Sequence, residues 1–167
     1  MRTSGAVLAC LLGFVVVSPA APQPLFVDAA KLLKLQNRYR AQVGVPPLRW
    51  SARLARGAQA WAETIAALDQ LRHSGTFGVG ENLAMSYGPG WTLERIVGLW
   101  GAEKAEFVPG RFPDVSTTGN WKSVGHYTQM VWRDTTRVGC GRATNRRAQY
   151  LVCWYDPQGN FIGRMPY

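Results

Sequence analysis

Two cysteines, Cys140 and Cys153, flank Asn145-Arg146-Arg147-Ala148, and this arrangement narrows the choice of fold more than any other feature. If Arg146 and Arg147 form the tip of a tight hairpin, Asn145 pairs with Ala148 and Cys140 falls opposite Cys153. A disulfide then staples two antiparallel strands. Such a bridge belongs to an oxidising compartment, and the N-terminus agrees. Arg2 precedes the apolar run Ala6–Val17, and Ser18-Pro19-Ala20 offers small residues for cleavage. Residues 1–20 therefore read as a secretory signal. The run is too short to span a bilayer and no second long apolar run follows, so no membrane anchor is expected. Cys10, within Leu8-Ala9-Cys10, is the alternative lipoprotein signal. Two buried free thiols remain the alternative to the disulfide.

After residues 1–20, a short segment (21–26) leads into a single domain, 27–167, large enough to enclose a core. The chain carries 19 Lys and Arg against 10 Asp and Glu. No nucleic-acid motif accompanies that charge, so an anionic cell surface or a solvated basic exterior is expected rather than nucleic acid. No Cys-x-x-Cys pair occurs, which argues against a zinc ribbon or a dithiol redox site.

Helices are expected over Val27–Val43, with Asp28 as N-cap, and over Ala52–Leu68, capped by Ser51. In the second, Leu54, Ala58, Trp61, Ala62 and Ile65 recur at helical spacing. A third should run from Thr92 to about Phe107. Gly75–Tyr87 reads as a loop and short strand, and Pro109–Ser123 as an irregular loop. Strands are expected at Tyr127–Trp132, Val138–Ala143 and Gln149–Tyr155, with a further candidate at Asn160–Arg164. The first follows from an octapeptide, Gly125-His126-Tyr127-Thr128-Gln129-Met130-Val131-Trp132, which alternates as a strand would. It would present His126, one of only two histidines, at its start. The ensemble is an α+β layered domain.

The octapeptide, Gly80-Glu81-Asn82-Leu83-Ala84, His73-Ser74, Leu48-Arg49-Trp50 and the long run Tyr150–Phe161 closely resemble motifs of the CAP superfamily, the cysteine-rich secretory, antigen 5 and pathogenesis-related 1 proteins. The resemblance covers nearly all of residues 27–165. It implies an α-β-α sandwich with a central antiparallel sheet and a cleft holding two histidines and two glutamates. Matched position by position, these are His73, Glu81, Glu103 and His126. Glu103 follows Trp100 in a W-x-x-E pattern, with Glu106 as the competing assignment. Trp154 departs from the family, which usually has a polar residue there. Fewer cysteines than in eukaryotic members leave the usual multi-disulfide framework in doubt.

His73 and His126 are candidate ligands for zinc or another divalent cation, with the glutamates as ligands or as acceptors of the imidazole N–H. A buried His–Glu network without metal is the equal alternative. Relatives bind sterols and other small lipids, so a non-catalytic binder of a lipid, a sterol-like molecule or a cell-surface component is the leading expectation, acting as a secreted monomer. Phe107, Phe112 and Trp121 are candidate ligand-facing residues, although packing accounts for aromatics equally well. The alternatives are a metal-dependent hydrolase using the same four side chains, and a basic extracellular interaction or defence-type module. No G-x-S-x-G element surrounds a serine, and Ser74 adjoins His73 without being placed for catalysis.

Overall fold

The computed structural model describes residues 23–25, as backbone, and 27–167. The signal expected at 1–20 lies outside the described residues. Within the segment 21–26, Gln23–Leu25 forms a short strand, β1, which the sequence reading did not anticipate.

Helix α1 (Ala29–Gln42) starts where Asp28 accepts the Lys31 N–H. After the link through Pro46 and Pro47, strand β2 (Arg49–Trp50) leads into α2 (Ala52–Ala67), whose Ser51 cap accepts from Leu54 N. Strand β3 covers Gly80–Tyr87. Helix α3 (Leu93–Ala102) is capped by Thr92 and tightens into a 3-10 turn at Glu103–Glu106 rather than continuing to Phe107. Helix α4 (Gly125–Val131) is followed by the hairpin β4 (Arg137–Thr144) and β5 (Ala148–Asp156).

The sheet runs β1-β4-β5-β3, antiparallel along this path, with β2 added parallel to β4 through Arg49↔Arg137 and Trp50↔Val138. The hairpin has the register read from the cysteines. Asn145 N donates to Ala148 O, Cys140 faces Cys153, and the two are disulfide-bonded. The bridge closes a loop of sequence separation 13. Replacing both cysteines by alanine is therefore expected to lower stability by about 3 kcal/mol, measured by urea denaturation beside the oxidised wild type.

One face of the sheet carries Leu151, Cys153 and Tyr155 against Leu32 of α1, Ile96, Val97 and Trp100 of α3, and Met130 of α4. The other carries Leu83, Tyr150 and Val152 against Ala58, Ala62 and Ile65 of α2. The result is an α-β-α sandwich. On the α2 side, β4 presents Gly139 and Gly141. A β-carbon at either would overlap the α2 backbone at Ser51–Ala55 or Ala58–Gln59, so only glycine lets helix and strand approach this closely.

Two expected strands do not form. The octapeptide is helix α4, not a strand, and His126 sits in its first turn. Tyr127, Thr128, Gln129, Met130 and Val131 are all buried. A seven-residue helix buried from its third residue on has no polar, solvent-facing stripe, so its apolar pattern does not separate period 2 from period 3.6. Asn160–Arg164 is a turn, with positive φ at Asn160 and Gly163. The Asn160 amide donates to Gly125 O and accepts from the Thr128 hydroxyl, holding the start of α4.

Candidate functional site: a paired His–Glu cleft

The N-terminal end of α4 needs an acceptor, because Val124 before it has no side-chain cap. Glu103, from the turn after α3, provides one. Its Oε2 accepts the backbone N–H of His126 and of Tyr127, both at 2.9 Å, and its Oε1 stands 2.6 Å from His126 Nδ1. One carboxylate thus caps the helix and orients the imidazole. The ring also stacks on Trp100 at a centroid distance of 5.7 Å. Glu106, the competing assignment, is exposed and makes neither contact.

A second pair joins β3 to the loop before it. Glu81 Oε1 is 2.7 Å from His73 Nδ1 and accepts Ser74 N–H at 2.9 Å. Its Oε2 accepts the Trp154 indole N–H at 2.7 Å. Trp154 is opposite Glu81 in the β3–β5 register, and its ring lies where a β-carbon at Gly57 would be. Trp154 is the site residue that the sequence reading passed over. The signal was its departure from the usual polar residue after the cysteine, together with a glycine inside a helical pattern.

With each Nδ1 turned to a carboxylate, each neutral imidazole keeps Nε2 free as an acceptor or ligand. His73, Glu81 and His126 line one open cleft of about 760 Å³, and Glu103 stands behind His126. Phe112 and Trp121 border the same cleft, but Phe112 is only 4% exposed and belongs to a cluster with Val115, Val124 and Trp132. Packing thus occupies most of its surface. Phe107 packs against Tyr127 and Tyr167 away from the cleft. The Ser74 hydroxyl accepts Thr76 N–H in a local turn. Among the described residues no group of three or more His, Cys, Asp or Glu is gathered as metal ligands.

The remaining motif residues tie the cleft to the core. Asn82 donates to His126 O and to Tyr155 Oη, and Tyr155 donates in turn to Gln36 Oε1. The Gln36 amide reaches the disulfide sulfurs at 3.9 and 4.0 Å. A β-carbon at Gly80 would overlap the Gln129 amide, which accepts Gly159 N–H.

Burial works to raise the Glu81 carboxyl, but the hydrogen bonds from His73, Ser74 and Trp154 outweigh it and hold it below its ordinary 4.5. His73 is raised above 6.5, chiefly by the hydrogen bond to Glu81. The His73 contribution to stability is full below its unfolded value and is lost as pH rises through the raised one. That of Glu81 is present above its unfolded value and is lost as pH falls through the lowered one. The pair therefore stabilises most between 4.5 and 6.5. Because the His73 side chain is 69% exposed, solvent screening keeps the effect small. His73→Gln should cost more stability at about pH 5.5 than at about pH 8.5, read from urea denaturation at both.

The model of the cysteine-rich secretory protein family matches residues 33–155. Pathogenesis-related protein 1C of Nicotiana tabacum is 42% identical over 137 residues, covering 81% of this chain and 78% of that protein. Pathogenesis-related protein PRMS of Zea mays is 35% identical over 172 residues, covering 100% of both. Among solved structures, that of NaASP2 with Zn2+ superposes with a TM-score of 0.66 at 25% identity, covering 83% of each chain. Hookworm platelet inhibitor, at 17% identity and TM-score 0.67, covers 87% of this chain and 79% of its own and shares the fold.

Proposed function

The chain belongs to the cysteine-rich secretory protein (CAP) family, and from that premise we propose that it is an exported, non-catalytic binding protein of the pathogenesis-related 1 type. Its cleft receives a lipid, a sterol-like molecule or a cell-surface component, and holds a divalent cation between His73 and His126. The observation that carries this reading is the pair of Nδ1–carboxylate contacts, His73–Glu81 and His126–Glu103, opening on one cleft. Such contacts hold the proton of each neutral ring on Nδ1 and leave Nε2 as the ligating nitrogen. Two imidazoles leave the remaining positions of a zinc ion to water, and bound zinc would supply Lewis acidity there. The zinc in the NaASP2 structure, a relative of the same fold, agrees with that choice of metal.

A hydrolase reading has less support. Glu81 and Glu103 each accept several hydrogen bonds, which disfavours their use as bases, and the Ser74 hydroxyl is engaged in a turn. No helix among the described residues is long and apolar enough to cross a membrane.

The test is zinc calorimetry at about pH 7.5 and about pH 5.5, on the wild type and on His73→Ala/His126→Ala. It is run beside extraction of labelled cholesterol and palmitate, and turnover of a peptide and ester pool. Saturable zinc binding lost in the double variant, with lipid extraction and no turnover, supports the reading. Turnover that His126→Ala abolishes overturns its non-catalytic part. Absence of both zinc and lipid binding overturns the rest.

A further inference from the structure

Strand β3 leads away from the cleft. From Glu81 to Ser86, at about 3.4 Å per residue, is about 17 Å. There the sheet ends in a second pocket, of about 360 Å³, between the β4–β5 turn and the loop Gly88-Pro89-Gly90. Ser86, Thr144 and Gln149 lie side by side in the strand register, with Arg142 two residues along, all on the face that α3 covers further in. Arg142, Arg146 and Arg147 line the pocket, and among the described residues no Asp or Glu does.

The hydrogen-bonding inventory shows which groups are free. Arg147 is committed to Asp69 at 3.0 Å. The Asn145 oxygen accepts the N–H of Arg147 and of Ala148, and its amide donates to Ala66 O and Asp69. Gln149 donates to Trp91 O and accepts from Arg142 Nη2. Arg146 is exposed and has no ion pair among the described residues. Two buried polar atoms of the pocket's own residues, Arg142 Nε and Ser86 Oγ, have no partner. Buried polar groups are nearly always satisfied, so two orphans at one pocket call for an explanation. Burial depresses the Arg142 guanidinium, as expected of a charge lacking a counter-ion.

What remains in the pocket is thus rich in donors: among the described residues neither the Arg142 nor the Arg146 guanidinium meets a carboxylate, Arg142 gives only Nη2 to Gln149, and the Thr144 hydroxyl lies beside them. A site rich in donors selects a ligand that only accepts, and two uncompensated positive charges match a dianion. We propose that this pocket binds a dianionic phosphate group, held by Arg142 and Arg146 with the hydroxyl of Thr144 beside them. The site is separate from the His–Glu cleft and does not depend on what the cleft binds. The phosphate is that of a small soluble molecule or of a lipid headgroup, and the two are separable by experiment.

The test uses the mature chain in low-salt, phosphate-free buffer. Inorganic phosphate is titrated by calorimetry. In parallel, phosphatidylcholine vesicles with and without phosphatidic acid are sedimented with the protein. Arg146→Ala is the main variant, since that exposed side chain is not needed for folding. Arg142→Gln/Arg146→Gln is the stronger one, and Arg38→Ala, a basic surface residue elsewhere, controls for bulk charge. The expected result is saturable binding, weakened about tenfold or more by Arg146→Ala, abolished in the double variant and unchanged in Arg38→Ala. Binding confined to phosphatidic acid vesicles, with the same variant pattern, supports the site and assigns the phosphate to a headgroup. Equal losses in Arg146→Ala and Arg38→Ala, or saturation by neither probe, overturn it.

Discussion

Arg40→Ala should destabilise the protein by about 3–5 kcal/mol and lower Tm by roughly 10 °C or more. Arg40 is fully buried near the end of α1. Among the described residues it has no carboxylate partner. Its guanidinium donates to the carbonyls of Pro46, Met130, Trp132, Arg133 and Thr135 at 2.6–3.4 Å. These acceptors lie in the Pro-Pro link, the C-terminal end of α4 and the turn before β4. One side chain therefore satisfies the last carbonyls of α4 and fastens three segments that share no hydrogen-bonded ladder. Desolvation pulls its pKa down to about 10, against a favourable interaction with Tyr155, so the group stays charged at neutral pH. Removing it leaves several carbonyls buried without donors, which costs more than the net value of the bonds themselves. Arg40→Lys, which keeps the charge without the fork, should fall in between. Urea denaturation of the three proteins decides the matter. A loss within about 1 kcal/mol for Arg40→Ala would mean that water enters and replaces the guanidinium.

Glu103→Ala is the second large effect expected, about 3–4 kcal/mol from a lost helix cap and lost charge-assisted hydrogen bonds. Glu103→Gln separates its two roles. The glutamine oxygen can still accept the N–H of His126 and Tyr127, so stability should fall by only about 1 kcal/mol. The amide NH2 then faces His126 Nδ1 as a donor and drives the ring to the tautomer with the proton on Nε2. The zinc affinity proposed for the cleft should drop by roughly 10–100-fold in a protein that is still folded. Imidazole nitrogen chemical shifts report the tautomer directly, and calorimetry reports the affinity. A normal tautomer in Glu103→Gln would show that Trp100 stacking alone sets the ring.

Both residues bear on how much was legible beforehand. The helices α1, α2 and α3 announced themselves through Asp28, Ser51 and Thr92 and through apolar spacing, because each has one wet face. The β4–β5 register followed from Cys140, Cys153 and a turn of polar residues. Helix α4 reads as a strand in sequence because its cap comes from Glu103, 23 positions back, and Tyr127 to Val131 are all buried. Neither fact leaves a local trace. Strand β1 pairs with β4 across most of the chain and is equally silent in sequence. His126 and Glu81 stood out through their motifs. Trp154 did not, since its role depends on Gly57 in another layer. The Phe112 placement followed the same rule: an aromatic in an irregular loop looks available until the loop is found folded back on a core of its own.

The contact between Gly57 and Trp154 has a consequence for how this cleft can change over generations. Glu81 is oriented by an indole whose only room is the missing side chain of a residue on α2, the layer on the opposite side of the sheet from α1 and α3. The two positions therefore form one inherited unit. A lineage that acquires the tryptophan is bound to keep the glycine, and one that loses the tryptophan frees position 57 while leaving Glu81 Oε2 without its indole donor. Substitutions drifting through the outer helix are thereby screened for their effect on a carboxylate they never touch.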